Sequence, residues 1–329
     1  MKKIILTYLF FLTWIISQGQ DPQFTQFYAN PLYLNPAFAG TSIQSRFVLA
    51  TRIQWASIPG AFQTYSASFD QFFPDIKSGF GLTIYYDRAG TGGLSTTTPR
   101  LSYAYEIKIN RKVFIRPAVE LGYVFRSLDF SRLTFGDQLQ TDNPTSGEII
   151  SDQAVQYADV NAGILLYATN YWAGIAFHHI NTPNESFLNE ESLVPMKFSL
   201  HGGYRFNLEG KEPLDRDYLY VSAHYKSQGK FDQLDLGVNY EHNSLTLGVW
   251  YRGLPVAYSQ TAGLARDAVA LLIGYKQSNL SFAYSYDITI SKLGLNTGGS
   301  HELTVVYEWA NRKNRRSSRR KRVIPCAKF

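Results

Sequence analysis

The sequence predicts an all-β fold: a transmembrane outer-membrane β-barrel of about 14 antiparallel strands, with an N-terminal plug or lead-in segment and a basic C-terminal tail. Three observations support this prediction. From residue 45 onward, apolar residues alternate with small or polar residues in one segment after another. The links between these segments are alternately short and long, and tyrosine and tryptophan collect near the predicted strand ends.

The composition excludes several other classes of protein. Of the 329 residues, 15% are aromatic and only 18% are charged, which is below the roughly 25% of a soluble domain. The mean hydropathy is −0.19 and no run of about 18 apolar residues follows the first twenty, so neither a helical membrane protein nor a disordered chain is expected. A single cysteine excludes an internal disulfide framework and a cysteine-rich metal site.

Residues 1–19 have the pattern of a secretory signal peptide. Two lysines precede an apolar stretch over residues 4–16, and Ser17-Gln18-Gly19 supplies a cleavage site of small residues. The stretch is too short for a membrane anchor and lacks a stop-transfer flank. Because residue 20 is not a cysteine, attachment of a lipid of the bacterial lipoprotein kind is not indicated.

Residues 20–44 form a separate segment before the barrel. Asn35-Pro36-Ala37 requires an extended residue before the proline and a turn after it. This geometry fits a plug folded against the mouth of the barrel, and it equally fits an ordinary lead-in to the first strand.

Residues 45–310 form the predicted barrel. In the segment 79–87, for example, Phe80, Leu82, Ile84 and Tyr86 share one face. Each segment has about 7–14 residues, which brackets the roughly 9–11 of a tilted membrane strand. A soluble β-sandwich would also alternate, but its outer face would be charged and polar, whereas here an apolar face recurs on every strand. The predicted strands lie at 45–55, 64–70, 79–87, 101–108, 113–126, 157–167, 171–179, 196–206, 219–225, 232–240, 245–251, 269–275, 280–286 and 303–309.

The predicted inward face carries many glycines and charges of both signs. Glycine there permits either strong strand curvature or the close approach of another backbone, and it recurs at Gly79, Gly81, Gly122, Gly163, Gly174, Gly237, Gly248 and Gly274. Mixed charges favour ion pairing across the lumen over a pore selective for one sign. The inward charges are Arg46, Arg52, Asp70, Glu106, Arg116, Glu120, Lys197, Arg205, Asp235 and Glu302.

The links predict the topology. Tight turns are expected at Asn110-Arg111, Thr169-Asn170, Asn243-Ser244 and Gln277-Ser278, and long links at 88–97, 127–155, 180–195, 253–267 and 288–300. Short periplasmic turns and long external loops, with an even strand number, place both ends of the barrel sequence in the periplasm. The aromatic residues expected at the two membrane interfaces are Trp55, Tyr86, Tyr171, Trp172, Trp250, Tyr251 and Trp309.

Residues 311–329 form a basic tail. They hold nine basic residues and no acidic one, whereas the whole chain has a net charge of +6. Nucleic acid is not expected as a partner because a secreted barrel places the tail in the periplasm, where acidic proteins or anionic lipid headgroups are available. A solvated disordered tail is the alternative. Cys326 is the lone thiol of the chain, and its basic neighbours favour a reactive thiolate.

The sequence contains no strong catalytic or metal-binding motif. The six histidines lack the spacing of a metal site, so no metal, cofactor or catalytic residue is predicted. His178 and His179 end a strand at the expected external rim, with Asp87 at the end of another strand and Ser186 in the adjoining loop. A barrel hydrolase using these residues is a third and weaker hypothesis.

Both ends of the chain resemble one family. Residues 21–40 read DPQFTQFYANPLYLNPAFAG, and the chain ends in IPCAKF. These stretches closely resemble the PorP/SprF family of type IX secretion system outer-membrane proteins from Bacteroidetes, in which proline commonly occupies the position of Ala327. The resemblance implies a non-enzymatic outer-membrane barrel that supports the secretion or surface anchoring of large adhesins through their C-terminal signal domain. It also implies links to gliding motility and to periplasmic components of the machinery.

The predicted partners are therefore a secreted adhesin, periplasmic secretion components and outer-membrane lipid. The main alternative is a barrel that moves hydrophobic solutes, because fatty-acid transporters also have fourteen strands and an N-terminal plug containing Asn-Pro-Ala. The predicted partner-binding residues are Asn35, Pro36, Ala37, Arg312, Lys313, Arg315, Arg316, Arg319, Arg320, Lys321, Arg322, Cys326 and Phe329.

Overall fold

Antiparallel strands account for most of the structure, a computed structural model that describes residues 21–42, 44–141, 154–187, 190–209, 216–259, 263–291 and 294–309. The strands are β1 (Ser45–Gln54), β2 (Phe62–Phe73), β3 (Ser78–Ala89), β4 (Leu94–Tyr105), β5 (Ile107–Lys108), β6 (Phe114–Ser127), β7 (Ala154–Tyr167), β8 (Tyr171–His178), β9 (Lys197–Glu209), β10 (Arg216–Gln228), β11 (Phe231–His242), β12 (Leu245–Ser259), β13 (Gly263–Gln277), β14 (Leu280–Thr289) and β15 (Ser300–Trp309).

The helices are short. They are α1 (Pro31–Leu34) and α2 (Gly136–Thr141), with single 3-10 turns at Pro36–Phe38, Pro74–Ile76, Phe130–Arg132 and Leu295–Thr297. No helix within the ranges given above is long and apolar enough to cross a membrane.

The strands close into a ring. Each strand pairs with its neighbours in antiparallel register, and β1 pairs with β15 from Ser45↔Trp309 to Gln54↔Ser300. The short β5 continues β4 beyond Glu106, and both pair with β6. With β4 and β5 counted as one strand, the described strands form a closed barrel of fourteen antiparallel strands, which confirms the predicted barrel fold.

The outer face of the barrel is apolar, as expected for a surface that contacts lipid. In β3, for example, Phe80, Leu82 and Ile84 are 43–50% exposed, whereas the intervening Gly81 and Thr83 are buried. A sandwich would cover such a face with a second sheet or make it polar. In this ring the apolar face points outward and the inner face is polar and buried.

The two rims of the barrel differ in the length of their connections. We call the rim at which β1 begins and β15 ends the proximal end, and the opposite rim the distal end. Proximal links are short, for example 168–170 and 243–244. The longest links, 128–153 and 179–196, are distal, in agreement with the predicted alternation.

Two of the predicted long links are wrong. The links expected at 88–97 and 253–267 shrink to 90–93 and 260–262, because β3 with β4, and β12 with β13, pair further toward the distal end. Polar and glycine-rich sequence at strand ends does not prevent pairing when both neighbours are present. The predicted turn at Gln277-Ser278 moves by one residue, since Gln277 is the last residue of β13.

Two of the aromatic residues predicted at the membrane interface are in fact internal. Trp172 is 2% exposed and Trp250 is 3% exposed, and both belong to the buried core. By contrast, Tyr86 and Tyr171 are 37% and 40% exposed on the outer face. Tryptophan near a strand end is thus no guide to the face, because an inward ring also finds apolar partners when the lumen is filled.

The inward charges pair along the wall of the barrel, so the predicted pairing across the lumen is wrong. Nine of the ten predicted charges are buried, and Arg205 is half-buried at the proximal end. Most of their ion pairs join neighbouring strands: Arg46–Asp70 at 2.8 Å, Arg100–Glu120 at 3.7 Å, Arg252–Asp235 at 3.0 Å and Arg52–Glu302 at 3.2 Å.

Candidate functional site in the barrel lumen

The lumen is occupied by residues 21–42, which we call the N-terminal segment. Every residue from 24 to 42 apart from Tyr33 is buried. Asp21 lies at the distal end beside Gln228, whereas Gly40 lies at the proximal end, where its backbone N–H donates to Asp70 at 2.8 Å. The segment therefore runs through the barrel from the distal end to the start of β1. The two ends of the barrel sequence, at Ser45 and Trp309, lie together at the proximal end, as expected for an even number of strands.

Asn35 fixes the middle of the N-terminal segment. Its side-chain oxygen accepts from the backbone N–H of Ala37 at 2.8 Å and caps the 3-10 turn that Pro36 begins. Its amide nitrogen donates to the carbonyls of Ile164 at 3.3 Å and Ile175 at 3.1 Å. Asn35 and Ala37 are 0% exposed, so the predicted turn exists inside the barrel.

Inward glycines make room for this segment. A Cβ atom on Gly79 would overlap the carbonyl oxygen of Ala39, and one on Gly163 would overlap the side chain of Asn35. Of the two explanations given for the inward glycines, close approach of another chain segment applies at these positions. Arg116 adds hydrogen bonds from its guanidinium to the carbonyls of Ala37, at 3.2 Å, and Ala39.

Thr25 lies at the centre of a buried charge network. Its hydroxyl accepts from Arg52 at 2.8 Å and Arg252 at 2.7 Å, and donates to Asp287 at 2.7 Å. Its backbone N–H, like that of the next residue, donates to Glu302, at 2.7 and 2.9 Å respectively. Buried charges are stable only when their hydrogen-bonding capacity is satisfied. The N-terminal segment thus completes a network that the strands alone leave open.

Asp21 anchors the distal end of the segment. Its carboxylate pairs with His179 Nε2 at 3.0 Å and with Lys197, and accepts from Gln228 at 3.2 Å. His179 also contacts Asp159 through Nδ1 at 2.8 Å. Residue 179 has a left-handed backbone with φ of 57°, a conformation that non-glycine residues seldom adopt.

Charge pairing controls the protonation of this anchor. Burial would raise the pKa of Asp21, but the positive charges of Lys197 and His179 outweigh it and hold the pKa well below its usual range. Burial would lower the pKa of His179, but Asp21 and Asp159 raise it to about 9. At neutral pH the anchor therefore consists of a carboxylate held between two cations.

Aromatic packing completes the interior. Phe27 lies edge-on to Trp250 with ring centroids 5.0 Å apart, and Tyr28 stacks on the same indole at 5.2 Å. Phe38 lies edge-on to the indole of Trp172, with ring centroids 5.6 Å apart. These contacts join the aromatic rings of the segment to those of the strands in one apolar core.

The residues considered for a hydrolase do not form a catalytic arrangement in the described structure. Asp87 accepts from Thr64 at 2.6 Å, and His179 is engaged by Asp21 and Asp159. Ser186 has its backbone N–H on Asn184 at 3.1 Å. In the described ranges, no group of three or more His, Cys, Asp and Glu side chains could hold a metal ion.

The predicted partner-binding residues divide into two sets. Asn35, Pro36 and Ala37 come together in one buried turn. The predicted signal peptide and the tail residues Arg312, Lys313, Arg315, Arg316, Arg319, Arg320, Lys321, Arg322, Cys326 and Phe329 lie outside the described residues.

Sequence reasoning did not single out Asp21 or Thr25, although both belong to the distinctive stretch quoted above. Acidic and hydroxyl residues in a segment expected to plug a charged lumen were the available signal. The partners are 158 residues away for Asp21 with His179 and 277 residues away for Thr25 with Glu302. No local pattern indicates contacts over such separations.

A closed barrel with an apolar outer face and a lumen filled by its own N-terminal segment defines an integral outer-membrane barrel protein. Residues 16–307 match the family described as type IX secretion system membrane protein PorP/SprF, and the chain belongs to this family. The protein is therefore an outer-membrane component of the type IX secretion system, and this membership implies association with other components of that system.

Solved structures provide a second comparison. The chain is 6% identical to the Acinetobacter baumannii outer membrane protein Omp33, over 81% of this chain and 99% of that one, with a TM-score of 0.44. It is 11% identical to the P. putida toluene transporter TodX, over 84% of this chain and 93% of that one, also with a TM-score of 0.44. Sequence identities and TM-scores this low do not indicate function. No curated protein matches the chain.

Proposed function

We propose that this protein is a non-enzymatic accessory of type IX secretion and gliding that supports the secretion or surface anchoring of large adhesin-type cargo. The cargo would be recognised through its C-terminal signal domain. The observation that carries this proposal is the filled lumen: residues 24–42 apart from Tyr33 are buried, and the N-terminal segment is held to the wall through Asn35, Thr25 and Asp21. A barrel in this state is suited to hold a partner at the membrane and not to conduct it.

The same observation favours the accessory role over the transport of hydrophobic solutes. A solute crossing the barrel would have to displace the segment at its centre, where Trp250 packs on Phe27 and Tyr28. Displacement would also leave Arg52, Asp287 and Glu302 buried without the partners that Thr25 supplies, which is costly.

The tail is proposed to bind periplasmic components. Its basic residues, Arg312, Lys313, Arg315, Arg316, Arg319, Arg320, Lys321 and Arg322, would attract an acidic protein surface or anionic headgroups. Cys326 and Phe329 would add a thiol and an aromatic contact at the end of the chain.

Affinity capture from detergent-solubilised membranes of the native host tests the proposal. The full chain should recover an adhesin or its C-terminal domain together with periplasmic secretion components. Deletion of residues 311–329 should remove the periplasmic components and retain the heat-modifiable migration of a folded barrel. Recovery of lipid alone by the full chain would contradict the cargo role and favour solute transport.

A charge-matched variant sharpens the test of the tail. Replacement of all eight basic residues of 312–322 by glutamine should abolish capture of the periplasmic components, and exchange of each arginine for lysine and each lysine for arginine should retain it. If the glutamine variant retains every partner, the tail does not act through its charge. Cys326→Ser tests the thiol separately, by loss of any disulfide-linked product on a non-reducing gel.

A partner contact at Asn35, Pro36 and Ala37 stays a prediction, and it would require the N-terminal segment to leave the lumen. In a Cys326→Ser background, Ala37→Cys should resist a membrane-impermeant maleimide in the free protein, because Ala37 is 0% exposed. Labelling that rises only when cargo is present would support the contact. A label that never enters, with cargo bound, would exclude it.

A further inference from the structure

A cavity of about 340 Å³ opens at the distal end of the lumen, beside the first residues of the N-terminal segment. This volume is within the roughly 300–1,000 Å³ of small-molecule sites. Its rim includes the exposed Phe231 and Asp232, and its floor is formed by buried side chains. The cavity lies above the packed centre of the barrel, so it is a pocket and not a channel.

The apolar part of the wall comes from both the segment and the strands. Phe24, Phe27 and Leu34 are buried and line the cavity from the segment side, with Trp55 and Phe231 from the barrel. Such a wall suits an alkyl or aromatic group, which gains free energy by leaving water.

The polar part of the wall has nitrogen atoms without partners. His178 is 2% exposed and lines the cavity, yet its Nδ1 has no hydrogen-bond partner among the described residues. Nδ1 of His224 is also buried in the wall without a hydrogen bond, and its nearest carboxylate, on Asp235, is 3.7 Å away. Leaving a buried polar atom without a partner is unfavourable, so a ligand that pairs with it is favoured.

Lys226 also faces the cavity. Its ammonium donates to the side-chain oxygen of Gln23, and no carboxylate in the described ranges lies within ion-pair distance of it. Lys197, also in the wall, is by contrast paired with Asp21.

Of the other carboxylates that line the cavity, Asp232 and Asp267 are at the solvent-exposed rim. Asp232 accepts from the hydroxyl of Tyr225 at 2.9 Å. A negatively charged group of a ligand would therefore be favoured at the floor of the cavity.

We propose that this distal cavity binds a small organic carboxylate with an apolar body, whose carboxylate pairs with Lys226 and hydrogen-bonds to His178 while its body packs on Phe24, Phe27 and Phe231. The site is independent of the cargo-supporting role, since it opens at the distal end of the lumen and involves neither Asn35 nor the tail.

Calorimetric titration of the full-length protein in a non-ionic detergent tests the site. Octanoate and phenylacetate serve as probes and distinguish an alkyl from an aromatic body; binding of either with a Kd of about 1 mM or tighter supports the site. Octanamide, which keeps the body and removes the charge, should bind at least about tenfold more weakly than octanoate. Equal binding of octanoate and octanamide, or no binding of either acid, would overturn the proposal.

Variants identify the cation. Lys226→Met should weaken the binding of the acid by at least about tenfold, since the methionine keeps the length of the side chain and removes its charge. Lys230→Met is the matched control, because Lys230 lies in the exposed turn of the same hairpin. Its affinity should stay within about twofold of the original protein. Equal losses in the two variants would show a general charge effect and contradict the site; the comparison of octanoate with octanamide needs no variant and holds if Lys226→Met does not fold.

Discussion

The two ends of the N-terminal segment are held in the barrel by different kinds of interaction. From Asn35 in its middle to Ala39 at the proximal end, the segment meets backbone carbonyls and glycines of the wall, with almost no space between them. At the distal end, Asp21 is held by Lys197, His179 and Gln228 next to an open cavity.

The proximal contacts therefore depend on shape, whereas the distal contacts depend on charge. Backbone contacts with glycine are independent of pH and depend on shape, so the smallest added side chain disrupts them. Charge contacts tolerate small changes of shape but depend on protonation and on the partner that remains. We therefore expect the distal end to be the part of the segment that responds to ligands and pH.

The largest effect is expected from adding one methyl group at the proximal end. Gly79→Ala would overlap Ala39, which is fixed by Arg116, and should lower the free energy of unfolding by about 3 kcal/mol or more. Urea unfolding in lipid vesicles, followed by tryptophan fluorescence, measures the change. Gly136→Ala is the control, since a Cβ there meets nothing within 4 Å. Equal stability of the two variants would show that the proximal contact is not steric.

A smaller effect is expected in the charge network between the two ends. Thr25→Val keeps the shape of the side chain and removes the hydroxyl shared by Arg52, Arg252 and Asp287, and should cost about 2 kcal/mol. The matched control is Thr246→Val, because the buried Thr246 hydroxyl has no hydrogen-bond partner among the described residues. The same unfolding assay should find the control unchanged or slightly more stable. A control as unstable as Thr25→Val would mean that lost volume and not lost hydrogen bonds sets the cost.

The smallest effect is expected at the distal end and depends on pH. The pKa of His179 is raised in the folded protein to about 9, from an unfolded value near 6.5. Its contribution is therefore fully present below about pH 6.5 and is lost as the pH rises through about 9. Between about pH 8 and 10 the folded protein should lose roughly 1 kcal/mol, and this loss should be absent in His179→Gln.

The acid side of the same anchor has the opposite sign. The pKa of Asp21 is held well below its usual range, so its contribution is present above the unfolded value of about 4 and is lost only as the pH falls through the lower folded value. Asp21→Asn should leave the stability at pH 5 lower than that of the original protein and should flatten the alkaline loss. An unchanged alkaline loss in Asp21→Asn would assign that loss to the contact of His179 with Asp159 alone.

The sequence was sufficient to predict the strands that form the wall of the barrel. Alternation with a period of two is a local property, so each strand reveals its lipid-facing side without knowledge of its neighbours, as β3 does with Phe80, Leu82 and Ile84. An even number of such strands and links of alternating length then predict a closed barrel.

The arrangement of side chains in the interior could be established only from the tertiary structure. The face of Trp172 and Trp250, the ion pairs along the wall and the cavity beside Lys226 all depend on where residues 21–42 lie within the ring. The sequence by itself determined that these residues form a distinctive segment before a membrane barrel, since composition and periodicity change at residue 45. Only the tertiary structure decided that the segment fills the lumen, because contacts such as Thr25 with Glu302 join residues 277 positions apart and leave no periodic trace in the chain.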